Sequence, residues 1–199
     1  CDLYTTIDIN IQDVAEDALL KQLKEHGADH GCVVLMEVAT GQVKAIANLS
    51  KGEGEDYYEY YNYAIGESTE PGSTFKLASL IAALEDGYVD VNDSIETGNG
   101  VMRFYDHVMK DSHHGGYGTI SVKKVFEVSS NVGVAKIVTE NYSHDPQKFI
   151  DRLYKMKLNE PLGLEIAGEG KPYIKSTNDN TWSGISLPWM AIGYETQLT

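Results

Sequence analysis

The chain has 199 residues, 16 Lys+Arg against 30 Asp+Glu and a formal charge of -14, a length that suits one large domain or two small ones and a charge that excludes nucleic acid and an electrostatically held membrane surface, because it repels phosphate backbones and anionic lipid. A hydrophobic content of 42% with 23% charged residues is ordinary globular composition, and no apolar run approaches the roughly 18 residues needed to span a bilayer. The two cysteines, Cys1 and Cys32, provide neither a disulfide framework nor a cysteine zinc cluster.

Residues 3–7 read as a short strand-like run, and because the chain opens there on Cys1 without an initiator Met it reads as a fragment. Asp8 is placed to cap a helix whose apolar positions Ile11, Val14, Ala15, Ala18, Leu19 and Leu23 recur every three or four residues until His26-Gly27 ends it. Residues 31–38 and 42–47, joined across Thr40-Gly41, predict an antiparallel hairpin. Residues 50–63, with five tyrosines and no clean period, predict an exposed loop. After Glu70-Pro71-Gly72 the sequence turns apolar on nearly every side, from Phe75 to Leu84, which predicts a buried helix stopped by Gly87. Residues 88–118 read as irregular and glycine-rich. Ser121 can cap a helical stretch bearing Val122, Val125, Phe126 and Val128, which breaks at Ser129-Ser130-Asn131 and resumes over 132–138. Asp145-Pro146 then opens an amphipathic helix with Phe149, Ile150, Leu153 and Tyr154 on one face.

Chemistry is suggested where Ser73-Thr74-Phe75-Lys76 heads the apolar helix. Residues three apart on a helix are neighbours. A serine hydroxyl needs a base to become a nucleophile, and a lysine desolvated by apolar surroundings can have its pKa lowered enough to serve. A helix N-terminus adds partial positive charge and free N–H groups suited to an oxyanion. Spacing alone is weak, since Ser121-Val122-Lys123-Lys124 shares it; the settings differ, because the second pair lies on an amphipathic helix where its lysines meet water. Ser129-Ser130-Asn131, at a break between helical stretches, adds a hydroxyl and a carboxamide, although such residues also favour helix caps for purely local reasons. Nucleophile, base, proton-relaying hydroxyl and amide donor together are the inventory for acyl transfer.

Glu70-Pro71-Gly72-Ser73-Thr74-Phe75-Lys76 followed by Ser129-Ser130-Asn131-Val132-Gly133 resembles the penicillin-binding protein transpeptidases, with their SxxK and SxN motifs. The resemblance extends over essentially the whole chain: residues 5–12 are similar to the start of that domain, 34–47 to its first hairpin, and Trp182-Ser183-Gly184 with Ala191-Ile192-Gly193-Tyr194 to the segment before its last helix. Among subclasses it is most similar to the monofunctional class B enzymes of the cell-division type. The resemblance implies an α+β transpeptidase fold, a helical subdomain with an incomplete antiparallel sheet, in which residues 1–199 are the N-terminal and central part of one domain. It implies Ser73 as the acylated nucleophile, Lys76 as its base, Ser129 as proton shuttle and Asn131 as a ligand for the substrate amide and for Lys76. The implied substrates are D-Ala-D-Ala stem peptides of peptidoglycan, with β-lactams as mimics that acylate Ser73. Cell-division proteins are implied partners, and no metal or organic cofactor is implied. The implied location is the extracytoplasmic face of the cytoplasmic membrane, through an anchor outside this sequence.

The family's third motif, Lys-Thr-Gly, does not occur, nor does Lys-Ser-Gly. That departure leads us to expect a truncated domain with weak activity or none, since losing one oxyanion donor costs about 10²-fold or more. Two other readings stay open: a serine hydrolase of the β-lactamase type, and a non-catalytic β-lactam sensor or scaffold. Elsewhere, His107, Asp111, His113 and His114 are metal-ligand types, but adjacent histidines diverge and no helical HxxxH spacing exists, so no metal is expected. The tyrosines are expected to pack over their loop, Glu67 and Glu70 to be solvated, and Cys32 to be a small buried hydrophobe.

Overall fold

The computed structural model describes residues 2–199, and they form two compact units, residues 2–68 with 162–170 and 199, and residues 69–161 with 171–198. The architecture is α+β.

In the first unit, Asp8 caps α1 (Ile9–His26) by accepting from Asn10 N and Ile11 N, and Gly27 closes it in the left-handed conformation at φ 61. Ala15, Leu19 and Leu23, four residues apart, form the buried stripe of α1 and pack with Ala45, Ala47 and Leu49, as the helical period requires. Those three alternate along β2 (Val43–Lys51), which pairs antiparallel with β1 (His30–Met36), Val33 opposite Ala47, with an irregularity between Leu35 and Met36. β3 (Tyr57–Tyr58) extends the sheet in the order β1-β2-β3, and α2 (Tyr63–Gly66) follows.

Three expectations are corrected here. Residues 3–7 do not form a strand; they are tied to the hairpin through Thr6 Oγ1 to Val43 O and Asp8 N to Lys44 O. Residues 50–63 are only partly an exposed loop, because Tyr57 donates its hydroxyl to Ala28 O at 2.7 Å and Tyr63 stacks on His30 with ring centroids 4.1 Å apart. Cys32 is exposed rather than buried. Successive strand residues face opposite ways, and Cys32 shares its face with Val34 and Met36, which are 48% and 56% exposed, while α1 covers the other face. Apolar composition marks the strand but does not say which face is covered.

In the second unit, a 3₁₀ turn (Gly72–Phe75) runs into α3 (Lys76–Glu85), which buries Leu80, Ala82 and Ala83. Residues 88–118 contain more regular structure than expected: β4 (Ser94–Glu96), β5 (Val101–Phe104) and β6 (His107–Lys110), with β7 (Thr119–Ser121) following, paired β4 with β7 and β5 with β6. The strands are three or four residues long and the β5–β6 turn uses Tyr105 at φ 55 instead of glycine, so neither length nor turn chemistry announces them. Glycine is required at 116, where a Cβ would lie 2.2 Å from the backbone of Asn99 and Gly100. Ser121 caps α4 (Val122–Glu127) by accepting from Lys124 N at 3.1 Å, and α5 (Asn131–Tyr142) and α6 (Pro146–Lys155) begin where the sequence signals place them. β8 (Tyr173–Ile174), α7 (Ser186–Met190) and β9 (Thr196–Gln197), antiparallel to β8, complete the unit.

The core of this unit joins Phe75, Leu80 and Ala83 to Val134, Ile137 and Val138 of α5, Phe149, Ile150 and Leu153 of α6, and Leu187 and Met190 of α7. At its edge the Asp86 carboxylate accepts from Tyr142 Oη at 2.7 Å and Arg152 Nε at 2.6 Å, with Lys148 Nζ 3.8 Å away. Burial alone would push this carboxyl up, but those hydrogen bonds and charges outweigh it and hold Asp86 below the ordinary carboxylate value.

Candidate active site

The turn ahead of α3 places Ser73 at the surface and Lys76 inside. Ser73 is exposed, whereas Lys76 is only 1% exposed. Gly72, at φ 55, donates its N–H to Gly193 O at 3.0 Å, and one turn along α3 the Ser79 hydroxyl donates to Ala191 O at 2.8 Å. The segment around α7 thereby fixes the chain entering the Ser73 turn and the helix leaving it.

Across from Lys76 lies the break between α4 and α5. Lys76 Nζ donates to Ser129 O at 2.7 Å and lies 3.0 Å from Ser129 Oγ. Ser129 sits at φ 53, the left-handed region that non-glycine residues seldom occupy and that costs on the order of 1–3 kcal/mol. That conformation turns its carbonyl toward the lysine, and the Ser129 side chain is exposed. Burial lowers the Lys76 pKa to about 8, with the Asp111 charge opposing the shift. By the ordinary titration relation, roughly one molecule in ten then carries the neutral amine at pH 7, against fewer than one in a thousand for an unperturbed lysine. A neutral amine keeps a lone pair for a proton, which an ammonium lacks.

Lys76 and Ser129 are therefore brought together, three residues along the chain from the exposed Ser73, with one change from the expected wiring. The lysine's hydrogen bonds run to Ser129, and none joins it to Ser73 among the described residues. Asn131 is likewise not hydrogen-bonded to the lysine among the described residues: its Nδ2 donates to Lys110 O at 2.8 Å, because Asn131 opens α5 beside the end of β6. Ser121 and Lys124, the competing pair of the same spacing, form a helix cap, with Lys124 paired to Glu127 at 3.1 Å.

Sequence reasoning missed the role of Asp111. Considered there only as a metal-ligand type, it accepts from Ser130 Oγ at 2.9 Å and from Val132 N at 3.0 Å. No local signal identifies it, since its partners lie about twenty residues further along, beyond β7 and α4. The accompanying histidines are engaged separately: His107 with Asp106 at 2.8 Å and His113 stacked on Tyr117. No group of three His, Cys, Asp or Glu suited to a metal ion occurs among the described residues. Glu67, expected to be solvated, pairs with His30 at 3.1 Å, and Glu70 accepts from Glu195 N at 3.2 Å.

Comparison with known proteins supplies an independent observation. Residues 31–199 match the family described as the penicillin binding protein transpeptidase domain. The chain is 28% identical over 198 residues to the probable peptidoglycan D,D-transpeptidase PbpC of Pseudomonas aeruginosa, covering 97% of this chain and 34% of that protein. It is 28% identical over 202 residues to the peptidoglycan D,D-transpeptidase FtsI of Escherichia coli, covering 99% and 33%. Among solved structures, a peptidoglycan glycosyltransferase from Burkholderia ambifaria superposes with a TM-score of 0.84 at 26% identity, covering 98% of this chain and 57% of that one. The chain thus spans about a third of the length of these two curated relatives.

Proposed function

The chain belongs to the penicillin-binding protein transpeptidase domain family, and from that membership we propose that it carries the acylation machinery of a serine-type peptidoglycan D,D-transpeptidase of the cell-division kind. Ser73 Oγ attacks the carbonyl carbon of the D-Ala-D-Ala bond while its proton passes to the neutral Lys76 amine. Collapse of the tetrahedral adduct breaks the C–N bond, and the proton returns through the Ser129 hydroxyl to the departing D-alanine nitrogen. An amine on a neighbouring strand then attacks the Ser73 ester, gives up a proton along the same relay and releases the serine. Asn131 faces the substrate amide. A β-lactam enters by the first step and stays, because its leaving group remains tethered. On this reading the domain works outside the cytoplasmic membrane, beside its peptidoglycan substrate and among cell-division proteins.

One observation carries the reading: a fully buried lysine, its pKa near 8, bonded to Ser129 one turn from an exposed serine. Side-chain bases positioned in this way contribute about 10²–10⁴-fold to rate.

Intact-mass analysis after long incubation with a fluorescent penicillin tests this. A single adduct on the Ser73 peptide, lost in Ser73→Ala, is the expected result. An adduct that forms equally in Ser73→Ala, or none at any dose, would overturn it. Rapid release of hydrolysed penicillin would instead identify a β-lactamase-type hydrolase, and acylation without aminolysis by any D-amino acid acceptor a sensor.

A further inference from the structure

We propose that Asp111 is a positioning residue of this site, clamping Ser130 and Val132 so that the Ser129–Asn131 corner is held against Lys76. The proposal rests on the acyl-transfer reading above and goes beyond it by assigning a function to a carboxylate outside both sequence motifs.

Residues 110 and 111 contact each residue of the corner that follows Ser129. The Ser130 hydroxyl donates to the Asp111 carboxylate, with oxygens at 2.9 and 3.1 Å, and the same Oγ accepts from Gly133 N at 2.9 Å. Val132 N–H donates to Asp111 Oδ1 at 3.0 Å, and the neighbouring Lys110 carbonyl accepts from Asn131 Nδ2 at 2.8 Å. Ser130 is entirely buried. A buried hydroxyl without its partner is costly, so the corner is secured only while the carboxylate is present.

Position and charge both favour an acid here. Asp111 lies at the N-terminus of the twelve-residue helix α5, where free N–H groups and the helix dipole stabilise a negative charge. Ser129, one residue before the clamp, is in the strained left-handed conformation, which persists only where surrounding contacts over-determine it. Those contacts are Lys76 on its carbonyl and the anchored Ser130 behind it. The Asp111 charge also acts on Lys76, favouring its protonated form against burial. The carboxylate thus has two separable effects: it places the relay hydroxyl, and it keeps the lysine from losing its proton too early.

Asp111→Asn preserves shape and one acceptor but removes the charge. NMR titration of Lys76 in the variant should show a midpoint below the wild-type value of about 8, so more free amine at pH 7. The acylation rate should nevertheless fall by about tenfold to a hundredfold, as misplacement of a reacting group does. A residue that merely supports the fold would leave the lysine midpoint where it is. An unchanged midpoint, or an unchanged rate, in a variant whose circular dichroism matches wild type overturns the proposal. If Asp111→Asn fails to fold, Ser130→Ala decides the matter: it keeps the carboxylate and should hold the midpoint while slowing acylation, and a wild-type rate there overturns the proposal. The titration needs no turnover, so it remains decisive even if Ser73 proves unreactive and the acyl-transfer reading fails.

Discussion

The two units handle water in opposite ways. In the first, β1 is apolar along most of its length, yet Val34, Leu35 and Met36 are all more than 40% exposed. In the second, Lys76, Ser79, Ser130 and Ser186 are sealed at 1% exposure or less. Burying polar atoms is unfavourable unless each finds a partner, and here each does: Lys76 at Ser129, Ser79 at Ala191, Ser130 at Asp111, Ser186 at Glu195. The lesson is that the expensive packing is concentrated around the proposed chemistry, where loss of one partner strands another. The hairpin unit is held by a simpler apolar contact, α1 on β2, where a loss stays local.

Variants can break or sharpen that contrast, beginning where the effect should be largest. Lys76→Ala is expected to slow penicillin acylation by about 10²–10⁴-fold without loss of folding, because it also removes a buried charge; a melting temperature that collapses in step with the rate would instead mark Lys76 as structural. Leu23→Ala under the hairpin should cost about 2–5 kcal/mol in a urea titration, and Asp86→Ala, which leaves the buried Tyr142 hydroxyl without its acceptor, about 1–3 kcal/mol. The Asp86 contribution is also pH-dependent. Its folded value is depressed, so the stabilisation is present above the unfolded carboxylate range, near 4, and is lost as the pH falls through the folded value.

The lysine supplies a milder test. Acylation should accelerate as the pH rises through about 8, where Lys76 sheds its proton, and level off above. Since the unfolded lysine titrates near 10.4, the unfolded chain binds more protons between about 8 and that value, and stability should rise with pH across the same window. A rate that is flat from pH 6 to 9 would remove Lys76 from the role of base. At the small end, Val34→Thr on the open face of β1 should change stability by no more than about 0.5 kcal/mol. A larger loss would mean that this face is covered in solution.

Much of this was readable beforehand, for identifiable reasons. Asp8, Ser121 and Pro146 mark helix starts because capping and proline chemistry are local, and the Ser73 turn was legible because its pattern is long and its helix apolar. The clamp was not. Asp111 acts through Ser130 and Val132, and only the β5–β6 hairpin brings them together, while that hairpin is built from strands too short to show a period. The bond from Asn131 to Lys110 O was likewise not legible, since its partner is a backbone carbonyl, which any residue could provide. Cys32 was misplaced because alternation along a strand identifies two faces without saying which one water reaches.

Position 193 carries a last consequence. Its α-carbon stands so near the carbonyl of Gly72 that a methyl group there would fall 1.9 Å from that oxygen, in a conformation, φ 89, that only glycine takes readily. A hydrogen atom is therefore the whole of the spacer separating this segment from the turn that carries Ser73. Enlarging that spacer by a single carbon would shift the turn that carries Ser73 while leaving every side chain of the proposed site intact, so penicillin labelling should change from a position outside both motifs.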